Sequence, residues 1–294
     1  MKRLGLCASA FLLISCVSQP DPATQAEPLQ PATLVATPAS PVRKERLESY
    51  TVPVIIKETV AFADGLIERT ITYTYDEGYK KLLSTVSQKP SAKTPLERTS
   101  YEYLGDAVST KSTFGPDGSR VSKYEYTYGS NGELIKETVF DSKGLVQSVS
   151  EWAWNNGMKS SWRVLTGTGL IQARTEYFHE ADRLVTARML DGSGAGKGQI
   201  DYIYADGGKL IQIKYSTAAG SPDGKIDYVL KDGMVAQESV FRADGRLERR
   251  LSFEYGPDGA LLKKTLADSA GRTREVTVYE NAYRTETRTI VYYE

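Results

Sequence analysis

From Val54 onward the chain alternates apolar and polar residues in short runs, each closed by a turn signal. The turns include Ala63-Asp64-Gly65, Pro116-Asp117-Gly118, Ser130-Asn131-Gly132, Asn155-Asn156-Gly157, Lys231-Asp232-Gly233 and Pro257-Asp258-Gly259, and they recur roughly every 12 to 14 residues. Asp-Gly and Asn-Gly supply the positive φ angles that tight hairpins demand. The runs between them are rich in Val, Ile, Thr, Tyr and Phe, as pleated strands require. The pattern predicts an all-β chain, a long antiparallel meander of about 18 or 19 strands. No stretch carries the capped start and the i, i+3, i+4 rhythm of a helix.

The faces of these strands limit how the meander can close. Arg246 to Tyr255 puts Leu247, Arg249, Leu251, Phe253 and Tyr255 opposite Arg246, Glu248, Arg250, Ser252 and Glu254, so one face can cover a core. Arg284 to Tyr293 is mixed on both faces. An outer-membrane barrel needs a lipid-facing band without charge, and the charges on both faces rule it out. Open twisted sheets seldom exceed about ten strands, so this meander must curl, split or flatten. The expected form is a curved, half-barrel-like sheet. An extended single layer, or two sheets joined at the glycine-rich stretch 190–198, are the other solutions.

Composition agrees with a pleated, half-wet structure: 19 tyrosines stand against 7 phenylalanines and 3 tryptophans. With 37 basic and 37 acidic side chains there is no basic excess to hold a nucleic acid, and none is expected as a partner.

The first residues set the compartment. Lys2 and Arg3 precede an apolar run, Leu4 to Ile14, too short to span a bilayer, which reads as an export signal. It ends in Leu13-Ile14-Ser15-Cys16, which resembles the lipobox of bacterial lipoproteins. That resemblance implies cleavage before Cys16 and lipidation of its thiol and new amino group. It makes residues 1–15 the signal and implies an anchor in the bacterial envelope. Val17 follows the cysteine where some lipoproteins of the inner membrane carry Asp, which points to the outer membrane. Cys7 leaves with the signal, so no free thiol remains for disulfide, catalytic or metal chemistry. Pro20, Pro22, Pro28, Pro31, Pro38 and Pro41 lie among small polar residues that cannot bury enough surface to repay ordering. Residues 16–48 are therefore expected to be a lipidated tether, and 49–294 the β domain.

Within that domain the unit resembles the YD repeat of Rhs-type shells and bacterial surface proteins. Tyr126-Thr127-Tyr128, Gly132-Glu133-Leu134, Phe140-Asp141 and Gly144 follow the pattern in order, as do Phe253-Glu254-Tyr255, Gly259-Ala260-Leu261, Asp268 and Gly271. Tyr73-Thr74-Tyr75-Asp76 and Tyr202-Ile203-Tyr204 are partial copies. The resemblance implies architecture and no activity.

Candidate chemistry is sparse. His179 is the only histidine and falls at an expected turn, so neither a Ser/His/Asp relay nor a multi-histidine metal site can be built. Ser221 to Asp227 looks like the end of a calcium loop but has Ala219 where a carboxylate is wanted, and reads as a plain turn. No cofactor, metal or catalytic residue is expected, and an envelope hydrolase would need two carboxylates meeting across a cleft. Trp152, Trp154 and Trp162 flank the Asn155-Asn156-Gly157 turn and are the candidate ligand-facing aromatics. A two-residue loop would set Trp154 against Lys159 and Trp152 against Ser161, leaving Trp162 on the other face. A three-residue loop would change the parity and unite all three.

The expected function is that of a lipid-anchored, non-catalytic binding or structural module that meets a glycan, protein or lipid across a broad β-face. The other reading is a periplasmic carrier or chaperone for lipid or lipoprotein, which needs a continuous apolar groove.

Overall fold

The computed structural model describes residues 43–293, and Cys16, the signal and most of the expected tether lie outside them. The described residues contain strands and turns and no helix. The strands are β1 (Arg43–Phe62), β2 (Ile67–Tyr75), β3 (Leu82–Gln88), β4 (Glu97–Leu104), β5 (Ala107–Phe114) and β6 (Arg120–Tyr128). There follow β7 (Leu134–Phe140), β8 (Val146–Asn155), β9 (Met158–Thr166), β10 (Ile171–Glu180), β11 (Arg183–Asp191) and β12 (Gly196–Tyr204). The last six are β13 (Leu210–Thr217), β14 (Pro222–Lys231), β15 (Met234–Phe241), β16 (Leu247–Tyr255), β17 (Leu261–Asp268) and β18 (Thr273–Tyr293).

Each strand pairs antiparallel with the next, and β1 also pairs with β18, so the 18 strands close into one barrel. The open half-barrel and the flat sheet are thereby replaced by full closure. Residues 46–290 form one compact unit that carries the barrel, and the described residues of a second unit are 43–45 and 291–293. The first strand begins at Arg43, six residues inside the segment expected as tether. The meander also runs without a break through 190–198, which forms the β11–β12 hairpin.

Closure follows from what the hairpins do to the sheet. Eleven of them share one turn, as at Gly115, whose N–H donates to Ser119 O (2.9 Å) while Gly118 N–H donates to Gly115 O (3.0 Å). Gly118 sits at φ +78°, where a Cβ would be strained, and the register slips by one residue between Thr113 and Phe114. Such a slip occurs in all the β-pairings given by register except β3–β4. Each bulge adds right-handed twist and bends its strand, and repeated around the meander this coils the sheet until its ends meet.

At the ends of alternate strands an aromatic side chain clasps the neighbouring strand. The hydroxyls of Tyr75, Tyr103, Tyr128, Tyr204 and Tyr255 donate to the carbonyls of Ile55, Leu82, Val108, Leu184 and Val235 at 2.8 to 3.1 Å. Trp154 Nε1 does the same to Leu134 O and Asn281 Nδ2 to Leu261 O, both at 2.9 Å. Each donor lies 20 or 21 residues after its acceptor, so the second aromatic of each Tyr-x-Tyr copy works as a strand-end fastener.

Candidate functional site

The register divides the side chains into two faces. One carries Tyr73, Tyr101, Tyr126, Tyr177, Tyr202, Tyr228 and Tyr279, with Ile200, Ile213, Ile226 and Leu251 among them. Burial raises the phenol pKa of all seven, with Tyr202 and Tyr228 pushed to about 12. The other face carries the cross-strand ion pairs Arg163–Glu151 (2.6 Å), Lys263–Glu254 (2.9 Å), Arg188–Glu176 (3.8 Å) and Lys57–Glu280 (2.6 Å). Even its apolar members are exposed, Val229 at 52% and Val278 at 49%. Side chains converge on the concave side of a curved layer and splay on the convex side, so the aromatic face lines the interior and the charged face is outside. Few apolar residues are deeply buried, Val54, Val60, Ala187, Ala260 and Tyr279 among the described ones, as befits a single layer around a space.

The three tryptophans lie together on the inner face. Asn156 (φ +50°) and Gly157 (φ +76°) form a two-residue hairpin, and Trp154 pairs with Lys159 as that turn predicts. Then a bulge intervenes: Ala153 pairs with Ser161 and Trp152 with Trp162. The parity expected from a two-residue loop is therefore wrong by one residue beyond Trp154, because the bulge, and not the turn, resets it. Lys159 Nζ lies 5.9 Å from the Trp152 ring, 5.5 Å from Trp154 and 5.9 Å from Tyr177, and burial lowers its pKa. An ammonium held against ring faces is stabilised by their quadrupoles rather than by a carboxylate. Trp162 Nε1 is buried without an acceptor among the described residues.

Other charges interrupt the lining. Burial raises the pKa of Glu137, with Lys111 opposing, and that of Glu238, with Arg249 opposing. Lys111 Nζ also stands 4.8 Å from the Tyr124 ring. The inner face is thus aromatic and amphipathic, suited to stacking and hydrogen bonding rather than to holding a bare hydrocarbon.

No family model matches this chain and no curated protein does. Among solved structures it is similar to TcdB2-TccC3, at 13% identity and TM-score 0.29, over 75% of this chain and 16% of that one. It is also similar to porin-like proteins from Bacteroides uniformis (11% identity, TM-score 0.39, covering 82% and 98%) and Bacteroides vulgatus (10%, 0.32, covering 77% and 97%). This chain spans less than a fifth of TcdB2–TccC3, and likenesses this weak carry no inference about fold or function.

The remaining sequence candidates do not assemble into a reaction centre. His179 is the penultimate residue of β10, opposite Leu184, in a strand rather than the expected turn. The supposed calcium-loop residues begin β14, where Asp227 accepts from Gln212 and Lys225 at 2.6 Å. Among the described residues no group of three or more His, Cys, Asp or Glu could hold a metal ion. Sequence reasoning missed a cavity of about 690 Å³ on the outer face, at the rim formed by the β11–β12, β13–β14 and β15–β16 turns. Its signal was hidden because the cations around it lie on separate strands.

Proposed function

We propose that the protein is a lipid-anchored component of the bacterial outer membrane that acts without catalysis, binding a partner through its barrel. The observation that carries this reading is the division of the faces. Lys or Arg on the lipid side of a transmembrane barrel costs roughly 2–4 kcal/mol at the midplane. The outer face here bears Lys57, Lys123, Arg163, Arg188, Lys225 and Lys263, so attachment to a membrane calls for a separate device. Cys16 is the residue suited to provide it, with the proline-studded segment after it as spacer. Stacking faces at Trp152 and Trp162 beside the Lys159 ammonium support a glycan or polar partner for the interior. The half-buried Glu137, Glu238 and Lys159 weigh against the carrier of lipid or lipoprotein.

Metabolic labelling with a fatty acid, followed by carbonate extraction of membranes, tests this. The parent chain should take up label and remain with the membrane, whereas Cys16→Ala should be unlabelled and released. A Cys16→Ala chain that stays in the membrane through carbonate would mean that the strands themselves are embedded, and the reading would fall.

A further inference from the structure

We infer that the rim cavity on the outer face is a binding site for an acidic oligosaccharide. This gives the binding reading above a place and a ligand class, and rests on it only in taking the barrel as a binder. Four cations border the hollow: Arg188 on β11, Lys214 on β13, Lys225 on β14 and Arg242 just past β15. Its one carboxylate, Asp201, is already engaged, accepting from Gln199 Nε2 at 2.8 Å and Thr186 Oγ1 at 3.1 Å. Asp201 is the register partner of Lys214, yet the two form no ion pair. Lys225 is held by Asp227 at 2.6 Å and Arg188 loosely by Glu176 at 3.8 Å. The side chains of Lys214 and Arg242 have no partner among the described residues. Like charges stand directly opposite at Lys214 and Lys225, an arrangement that is destabilising unless an anion bridges it.

The spacing selects the class of anion. Strands lie about 4.8 Å apart, so Arg188 and Lys225, three strands apart, are separated by roughly 14 Å. A single phosphate cannot meet both, and a chain with repeated charges can. The cavity also offers the Gln199 amide and the Ser216 hydroxyl, which suit sugar hydroxyls. Its lining holds no free aromatic face: Tyr215 borders it, but its side chain belongs to the inner face opposite Ile200, and the nearby Phe241 and Phe178 rings lie outside the lining and are already met by Lys225 (4.6 Å) and Arg188 (5.2 Å). Single-stranded nucleic acid, whose bases need rings to stack on, is disfavoured. The hollow coincides with Gly198 and Gly224, where a Cβ would come within 2.5 Å of Ser216 O and 2.7 Å of Phe241 O. Only glycine lets the backbones approach this closely, so the shape is built into the chain.

The test is calorimetric titration of the Cys16→Ser chain with hexagalacturonate, a heparin hexasaccharide, maltohexaose and oligo-dT. Either acidic glycan should bind, weakening with salt, while maltohexaose and oligo-dT should not. Lys214→Gln with Arg242→Gln should weaken binding tenfold or more, with a melting temperature of the free chain no lower than the parent's, since it relieves the repulsion between Lys214 and Lys225. The matched pair Lys136→Gln with Arg98→Gln, on the same face but on β7 and β4, well away from the cavity, should bind as the parent does. Equal losses in both pairs, no loss in the first, or tighter binding to oligo-dT would overturn the proposal. So would a parent chain that binds neither acidic glycan. The anchor would be untouched by that result, since Cys16→Ala fractionation judges it separately.

Discussion

Tyr126 and Tyr128 are two residues apart on one strand, and their hydroxyls do different work. Tyr128 donates to Val108 O at 2.9 Å, while the Tyr126 hydroxyl makes no hydrogen bond among the described residues. Removing a donor so that a half-buried carbonyl loses its partner costs about 0.5–1.5 kcal/mol net. Tyr128→Phe should therefore lower the urea midpoint by an equivalent amount, and Tyr126→Phe should stay within about 0.5 kcal/mol of the parent. The turn aspartates can be tested by pH. Burial opposes ionisation of Asp268, but donors from the backbone N–H groups of Ala270 and Arg272 and from the Arg272 and Arg274 guanidiniums outweigh it and hold the pKa at about 2, below the ordinary 3.8. A carboxyl depressed on folding adds stability that is complete above its unfolded value and disappears as pH falls through its folded one. The melting temperature of Asp268→Asn should therefore approach that of the parent as pH drops from about 4 to about 2, the difference being largest above pH 4. An unchanged difference across that window would remove Asp268 from the acid response.

The hairpins show which elements can be read from sequence. Asn156-Gly157 and Asp232-Gly233 are two-residue turns, and the Pro-Asp-Gly motifs at 116–118 and 257–259 form the bulged ones, because the φ demand falls on a residue that shows in the sequence. The bulge beside each turn shows no such residue. Ser160 carries the slip that reunites Trp152 with Trp162, and nothing about serine announces it. The expected facing of the tryptophans failed there, since one slipped residue transfers all that follow to the other face. Gly192 and Gly194 look alike in the glycine-rich stretch but differ in cause. Gly194 has φ +92° in open space, whereas a Cβ on Gly192 would stand 2.0 Å from Ile171 O. Gly192→Ala must force β10 and β11 apart at their ends, at a cost of about 2 kcal/mol or more. Gly194→Ala carries only the strain of a left-handed residue, about 1 kcal/mol. Chemical denaturation of the two variants should rank them in that order.

At the scale of the molecule the decisive contact joins residues more than 200 positions apart, which is why the strand count was legible and the closure was not. The side chains along the seam are surface pairs: Arg288 with Glu48 (2.8 Å), Lys57 with Glu280 (2.6 Å), and the Tyr50 hydroxyl donating to Glu286 (2.9 Å). Exposed pairs contribute about 0–1 kcal/mol each, so neither their charges nor their spacing could have announced the pairing. What seals the barrel is the backbone ladder, together with bulges that have already brought the ends to the same place. The interior then sets the alkaline limit. Tyr202 and Tyr228 titrate near 12 instead of 10 because burial disfavours the phenolate, so their contribution is complete below pH 10 and is lost as pH rises toward 12. Phenolate absorbance and loss of strand signal should appear together in that window.

The seam gives the sharper test, because a barrel without closure is a sheet with two free edges. A chain ending at Val278 would lose most of β18, and with it the partner of β1 from Tyr50 to Lys57. Rows of unpaired N–H and C=O groups would then face solvent along a 20-residue strand, a long exposed edge ready to pair with another chain. Light scattering should show the shortened chain self-associating with rising concentration. Lys57→Ala with Arg288→Ala, which removes only seam charges, should leave the parent's mass unchanged. A shortened chain that stays monomeric with its strand content intact would mean that the remaining strands protect their own edges, and that closure through β1 and β18 is not what keeps this long meander from pairing with copies of itself.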